Sequence, residues 1–244
     1  MSGVSPPAAA QLGTRLSLGE AFKRLLDVVL ATTLLILFLP VLVAVMVAVK
    51  ADSRGPVFFR CRRVGRHGEH FEMLKFRKMR RDASGAALTV KDDRRFTRVG
   101  SFLAKSKLDE LPQLWNVLRG EMSLVGPRPE DPAFVEVCSE EYATILLARP
   151  GITGLCQLAF AREGEILDPQ KRHQDYLERL LPQKAALDRL YAEHRSLQLD
   201  LRILAWTAIA VLLRQNVAVN RTTGQLTWRR RPKEIAMTAL ESRP

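Results

Sequence analysis

"VVLATTLLILFLPVLVAVMVAV", residues 28–49, runs for 22 residues without a charge and carries a proline near its middle. That length passes the test for crossing a bilayer, whose hydrocarbon core takes about 20 apolar residues of helix. It is too long for the apolar region of a cleaved leader, and no small-residue cleavage pattern follows it. The flanks argue against a simple crossing. Arg15, Lys23 and Arg24 precede the segment, and Lys50, Arg54, Arg60, Arg62, Arg63 and Arg66 follow it. Positive charge marks the cytoplasmic side of a membrane segment, so both ends read as cytoplasmic. Pro40 lacks a backbone donor and its ring crowds the preceding turn, so a helix bends there. A helix that enters the membrane, turns at Leu39-Pro40 and leaves on the same face satisfies length, flanks and proline together. The competing reading is a kinked span with a basic outer loop.

Outward from this segment the chain is strongly basic. It has 244 residues and a formal net charge of +12, which points to an anionic partner: nucleic acid, an anionic membrane surface or a phosphorylated substrate. Few aromatics interleave the basic runs, which argues against a stacking platform for nucleic acid. The three cysteines, Cys61, Cys138 and Cys156, form no disulfide or zinc pattern and suit a reducing compartment. His67 and His70 read as part of a solvated Gly-flanked turn. Residues 1–17 read as a disordered lead-in, 18–50 as the re-entrant helix, 51–215 as the main domain on the cytoplasmic face, and 216–244 as a basic extension that contains the Arg229–Arg231 run. Residues 55–79 show apolar and basic runs around Gly65 and Gly68, consistent with a short β-hairpin, and in an extended strand Lys75 and Arg77 project to one face. Residues 80–95 read as a flexible loop able to close over a substrate. Helical spacing runs from about Asp168 to Leu199, with Pro182 expected to separate two helices. Ile203–Leu213 is too short to span, and fits either an interfacial or a buried helix.

The chemistry concentrates in "SKLDELPQLWNVLRGEMSLVGPRP", residues 106–129. Proline is tolerated in a helix's first turn, so Pro112 is expected to place Asp109 near an N-cap and Glu110 just inside. Leu111, Leu114, Trp115 and Leu118 would then form the apolar side, opposite Gln113 and Asn116. An ionised carboxylate at a helix start is a competent nucleophile, although acids there are also ordinary caps. Company raises the functional reading. Arg128 stands between Pro127 and Pro129 with a two-pronged donor suited to phosphate oxygens, and Lys75 and Arg77 can add positive charge. Glu110 suits Mg²⁺, which takes one or two carboxylates plus substrate phosphates. No P-loop or dinucleotide fingerprint occurs, so the residues point to phosphoryl transfer by other means.

The blocks "KRLLDVV" from Lys23, "GPVFF", "KFRKM", "LDELPQLWNVLRGEMSLVGPRPE", "RPGITGLCQ" and "RSLQLDLRIL" from Arg195 resemble, in order and spacing, the bacterial sugar transferases. These are monotopic polyprenyl-phosphate phosphoglycosyl transferases, and the resemblance covers about three quarters of the chain in its small, catalytic-core form. It implies a mainly α-helical monotopic protein with a small β-hairpin, a re-entrant helix broken at proline and interfacial amphipathic helices. It also implies the bacterial inner membrane, with the active site on the cytoplasmic face. The activity implied is transfer of a sugar 1-phosphate from a UDP-sugar to undecaprenyl phosphate, through a phosphosugar–aspartate intermediate with Mg²⁺. By position, Asp109 is the nucleophile, Glu110 the metal-associated acid and Arg128 the phosphate-binding arginine. Lys75, Arg77, Lys105 and Gln157 join the expected phosphate-binding set. Bacterial membrane lipids are implied partners, nucleic acid is not, and an oligomer is left open. The chain departs from the family pattern at Ala104, where arginine is common, with Lys105 beside it. It also departs at Lys107, Cys61 and Leu155-Cys156. The alternative class is a membrane-tethered basic adaptor for anionic lipid or nucleic acid; UMP release from UDP-sugars separates the two.

Overall fold

The computed structural model describes residues 18–80, 93–161, 171–213 and 215–228. The expected lead-in, most of the expected 80–95 loop and the arginines at 229–231 lie outside the described residues. The apolar segment forms two helices, α1 (Leu18–Leu37) and α2 (Leu39–Asp52), bent by 62°. The break is at Phe38, and Pro40 falls in the first turn of α2, where its missing N–H interrupts the ladder at least cost. Among the described residues no single helix is long and apolar enough to cross a membrane.

The hairpin expected around Gly65 and Gly68 forms. β1 (Phe58–Val64) pairs antiparallel with β2 (His70–Phe76), from Phe58 opposite Phe76 to Val64 opposite His70. Next come α3 (Arg98–Ser106), a 3₁₀ turn at Leu108–Glu110, α4 (Gln113–Arg119) and β3 (Ser123–Val125). β3 pairs in parallel with β4 (Gly151–Thr153) across α5 (Pro132–Val137) and α6 (Ser139–Ile145). The two strands approach closely because they meet near glycines: a Cβ on Gly126 would lie 2.8 Å from the Gly151 nitrogen. α7 (Leu155–Ala159) follows directly.

Pro182 does not divide the next helical region. α8 (Arg172–Asp175) continues through a π-helical turn, Tyr176–Leu180, into α9 (Leu181–His194). The proline sits in the first turn of α9, and the widened turn before it lets the path continue. α10 (Leu197–Leu213) contains the second apolar run and combines both expected environments: Ile203 is wholly buried, whereas Val211, Leu212 and Leu213 are exposed. Residues after 216 are not simply an extension. β5 (Val217–Val219) and β6 (Leu226–Trp228) form a hairpin, with Val217 in the core and Trp228 against Trp206 of α10 at 4.7 Å.

The main core joins Ala31 of α1 to Leu114 and Val117 of α4, Leu155 of α7, Leu187 of α9 and Ile203. A second cluster packs Leu42, Val45 and Val49 of α2 against Phe76 and Leu103 of α3. Much of the bent pair nevertheless faces outward: Leu25, Val29, Ile36, Leu37 and Val47 are more than half exposed. Polar contacts compensate for this partial packing. Asp27, buried within α1, accepts from Ser123 Oγ at 2.8 Å and from Leu124 N–H at 3.1 Å. Lys23 donates to Asp200 at 2.7 Å and to the Val125 carbonyl at 3.2 Å. Arg24 donates to the Val117 and Leu118 carbonyls at 2.7 and 3.0 Å, satisfying the end of α4.

Asp27→Ala leaves a backbone donor and a hydroxyl of β3 without this acceptor. Hydrogen bonds to charged groups are worth about 1.5–3 kcal/mol, so the variant should unfold at a measurably lower temperature in detergent. Thermal unfolding followed by circular dichroism reads this directly.

Candidate active site

The acid pair is not a helix N-cap. Lys107 takes a left-handed conformation (φ 61°) that ends α3 and starts the 3₁₀ turn carrying Asp109 and Glu110. Glu110 N–H returns to the Lys107 carbonyl at 3.2 Å, and Leu111 N–H to the Leu108 carbonyl at 3.3 Å. Pro112 takes the N-cap position of α4, and no side chain caps that helix. A left-handed non-glycine residue costs on the order of 1–3 kcal/mol and persists where its surroundings enforce it. The expected faces of α4 also change. Trp115 is 52% exposed, whereas Gln113 and Asn116 are buried. Asn116 faces β2, accepting from Leu74 N–H at 3.0 Å and donating to the Glu72 carbonyl at 2.8 Å and to Glu121 at 2.7 Å. A sheet edge met by a helix must have its backbone groups paired, so the amide turns inward.

Each acid of the pair has its own lysine. Lys75 Nζ lies 3.0 Å from Glu110 Oε1, and Lys78 Nζ lies 3.0 Å from Asp109 Oδ2. The Asp109 side chain is only 2% exposed, against 24% for Glu110. Partial burial pushes the Glu110 carboxyl up, but the charges of Lys75, Arg128 and Lys107 outweigh it and hold the group at about 2. Glu110 is therefore an anion at neutral pH.

Arg128 reaches the acids from the turn after β3. Its backbone N–H donates to Asp188 Oδ1 at 3.1 Å, and its Nε lies 3.8 Å from Glu130 Oε1. Behind it is a buried polar cluster, in which Lys184 donates to Glu130 at 2.8 Å and to Tyr176 Oη at 2.6 Å, and Tyr176 donates to Glu130 at 2.8 Å. Lys184 and Asp188 are one turn apart on α9, so one helix face grips both Glu130 and the Arg128 backbone. Burial pushes the Glu130 carboxyl up, but Lys184, Arg128 and Arg63 pull it down to about 2. Asp188 behaves oppositely. Burial pushes its carboxyl up to about 8, against the Arg128 N–H bond, with the Glu130 charge adding to the rise.

The structure thus brings together Asp109, Glu110, Lys75 and Arg128, and adds Lys78 and Lys107. It does not bring Arg77 to the pair. β2 ends at Phe76, the Arg77 N–H turns to the Val57 carbonyl, and its buried guanidinium donates to the Ser53 and Arg54 carbonyls at 2.7 Å each. Arg77 thereby closes the end of α2. Because strand alternation stops at Phe76, Lys78 rather than Arg77 meets the acids, and no sequence period could have found it. Gln157 donates to the Gly151 carbonyl at 3.0 Å, bracing the strand pair behind the Arg128 turn. Lys105 is exposed on the last turn of α3. Among the described residues no group of three or more Asp, Glu, His or Cys side chains could alone hold a metal ion. His67 and His70 are exposed at the hairpin turn.

Bent apolar helices packed on a small mixed core carry paired acids ringed by cations, a charge pattern suited to an anionic ligand. Residues 18–214 match the family model described as bacterial sugar transferase, and the chain belongs to that family. It is 43% identical over 200 residues to a UDP-glucose:undecaprenyl-phosphate glucose-1-phosphate transferase of Caulobacter vibrioides, covering 80% of this chain and 71% of that protein. A Xanthomonas campestris protein of the same name is 42% identical over 78% of this chain, which spans only 38% of that relative. An exopolysaccharide production protein of Rhizobium leguminosarum is 37% identical, over 79% of this chain and 96% of its own length.

The Asp188 carboxyl gives a pH dependence of defined sign. With a folded-state value raised from the ordinary 3.8 to about 8, it holds its proton more tightly in the folded chain. Its contribution to stability is full below about pH 4 and declines as pH rises to 8. Asp188→Asn keeps an acceptor for Arg128 N–H and removes the decline. The difference in melting temperature, variant minus wild type, should therefore grow from pH 5 to 8.

Proposed function

We propose that this chain transfers a sugar 1-phosphate from a UDP-sugar to undecaprenyl phosphate, releasing UMP. The observation that carries the reading is two adjacent carboxylates ringed by Lys75, Lys78, Lys107 and Arg128. The cations outnumber the acids, which suits a diphosphate donor followed by a phosphate acceptor. A basic adaptor would gain nothing from burying Asp109 at the centre of its positive charge. The names of the relatives support the donor and acceptor classes.

In the proposed mechanism Asp109 attacks the phosphorus that bears the sugar. An Asp109 O–P bond forms as the bridging P–O bond breaks, and UMP leaves with the electron pair. An oxygen of undecaprenyl phosphate then attacks the same phosphorus, and Asp109 departs as a carboxylate. Dividing the transfer lets one small site serve two substrates in turn. Arg128 binds phosphate oxygens, its direction fixed by Glu130 and Asp188. Glu110 would hold Mg²⁺ together with the substrate phosphates, and its ionised carboxylate fits that one-carboxylate ligand set. The ion would add positive charge to the phosphates.

We further assign the bent helix pair to a re-entrant membrane anchor at the cytoplasmic face of the inner membrane. Both ends are tied to the same body: Glu20 pairs with Arg66 and Arg195, while Arg77 closes the end of α2. Exposed Phe102 and Trp115 add apolar surface outside that pair.

Two experiments test these assignments. Intact-protein mass spectrometry after brief exposure to the cognate UDP-sugar, without lipid acceptor, should show a phosphosugar adduct on Asp109. Asp109→Asn should fold normally and lose both adduct and nearly all transfer; kinetics that need both substrates bound together, with no adduct, would oppose the covalent route. For topology, single cysteines at Leu18 and Glu69 in a cysteine-free background should both resist a membrane-impermeant thiol reagent in intact cells. Opposite accessibility would establish a span.

A further inference from the structure

Lys78 occupies a position that the proposed mechanism has not yet used. Its ammonium lies 3.0 Å from Asp109 Oδ2, and Asp109 is otherwise enclosed, with 2% of its side chain exposed against 26% for Lys78. Its backbone is held on three sides. Arg77 before it is fixed by the Val57 carbonyl and by the carbonyls at the end of α2. The Lys78 carbonyl accepts from Thr97 N–H at 3.1 Å, and Gly100 of α3 lies so close that a Cβ there would overlap that carbonyl. The part free to move is therefore the four-carbon stem and its charge. The Phe96 ring lies 5.8 Å from the ammonium and offers that charge a second surface.

We propose that Lys78 is a catalytic residue that acts as a latch on the nucleophile, a role resting on the transferase reading above. Before substrate binds, Lys78 covers Oδ2 and balances its charge. An incoming diphosphate carries more negative charge than the carboxylate and draws the ammonium to its own oxygens, which uncovers Asp109 for attack. The attack converts the Asp109 carboxylate into a mixed acyl phosphate whose carboxyl oxygens carry no full charge, so Lys78, already on the phosphate oxygens, has no anion at Asp109 to return to. The ammonium then stays with the phosphoryl oxygens while the covalent state lasts. No proton is transferred by Lys78; it contributes charge whose location changes along the reaction.

Two arms test this, using the full chain in detergent. Rapid-quench measurement of UMP release compares wild type with Lys78→Met, which keeps length, and Lys78→Arg, which keeps charge. Loss of one charge-assisted phosphate contact should slow the burst of Lys78→Met roughly ten- to a hundred-fold, with the arginine variant much less affected. The second arm needs no turnover: carbodiimide-driven coupling of a small amine to Asp109, read by peptide mass spectrometry without substrate. Asp109 should couple several-fold faster in Lys78→Met than in wild type, and Lys78→Arg should remain protected. Equal coupling in wild type and Lys78→Met overturns the latch, as does a burst in Lys78→Met equal to that of wild type. A wild type that releases UMP from no UDP-sugar would sink the transferase reading, while the labelling arm would still decide whether Lys78 covers Asp109.

Discussion

Asp27 is a buried carboxylate within an otherwise apolar helix, and the site depends on the bond it makes. It accepts from both Ser123 and Leu124, so it holds the strand that leads into the Arg128 turn. With many apolar side chains of α1 directed outward, packing alone fastens the helix weakly, and directional polar bonds carry the rest. Lys23 and Arg24 repeat this arrangement toward α10 and α4. All three side chains stand in the first half of α1, and among the described residues no such bond to another element comes from the half nearer the bend.

Charge balance is arranged in two layers. At the front, cations surround Asp109 and Glu110 and keep Glu110 ionised despite its partial burial. At the back, Glu130, Lys184, Tyr176 and Asp188 form a buried cluster that grips the Arg128 turn from one face of α9. A buried charge is tolerated when paired and bonded, and here the cluster also holds the Arg128 turn, through the backbone N–H at Asp188 and the Glu130 carboxylate beside the guanidinium. Glu130, Lys184 and Tyr176 each bond the other two, and Asp188 holds the Arg128 backbone beside them.

The Pro40 break, the first hairpin and the acid–arginine constellation were legible in the sequence because each depends on local rules: proline geometry, apolar and basic runs about the turn at Gly65 and Gly68, and residue order around Pro112 and Pro127. Where the local rule failed, a distant neighbour overruled it. Asn116 turned inward because β2 presents unpaired backbone groups to α4. Trp115 was left outward by the same rotation. Pro182 failed to break its helix because a π-helical turn absorbed the missing bond. Val217 entered the core because β5 and β6 fold back on the body as a hairpin.

The sequence by itself determined the family, and it set Asp109, Glu110 and Arg128, the groups proposed to react, in uninterrupted, specifically spaced blocks. It also determined that the apolar segment must bend. Tertiary structure decided which cations meet which acids. Lys75 and Arg77 look equivalent by strand period, yet the strand ends between them. Arg77 is consumed in closing α2, and Lys78 is delivered to Asp109 instead. The reason is physical: alternation holds only while a strand lasts, and where β2 ends is set by packing against α2 and α3, which lie elsewhere in the chain.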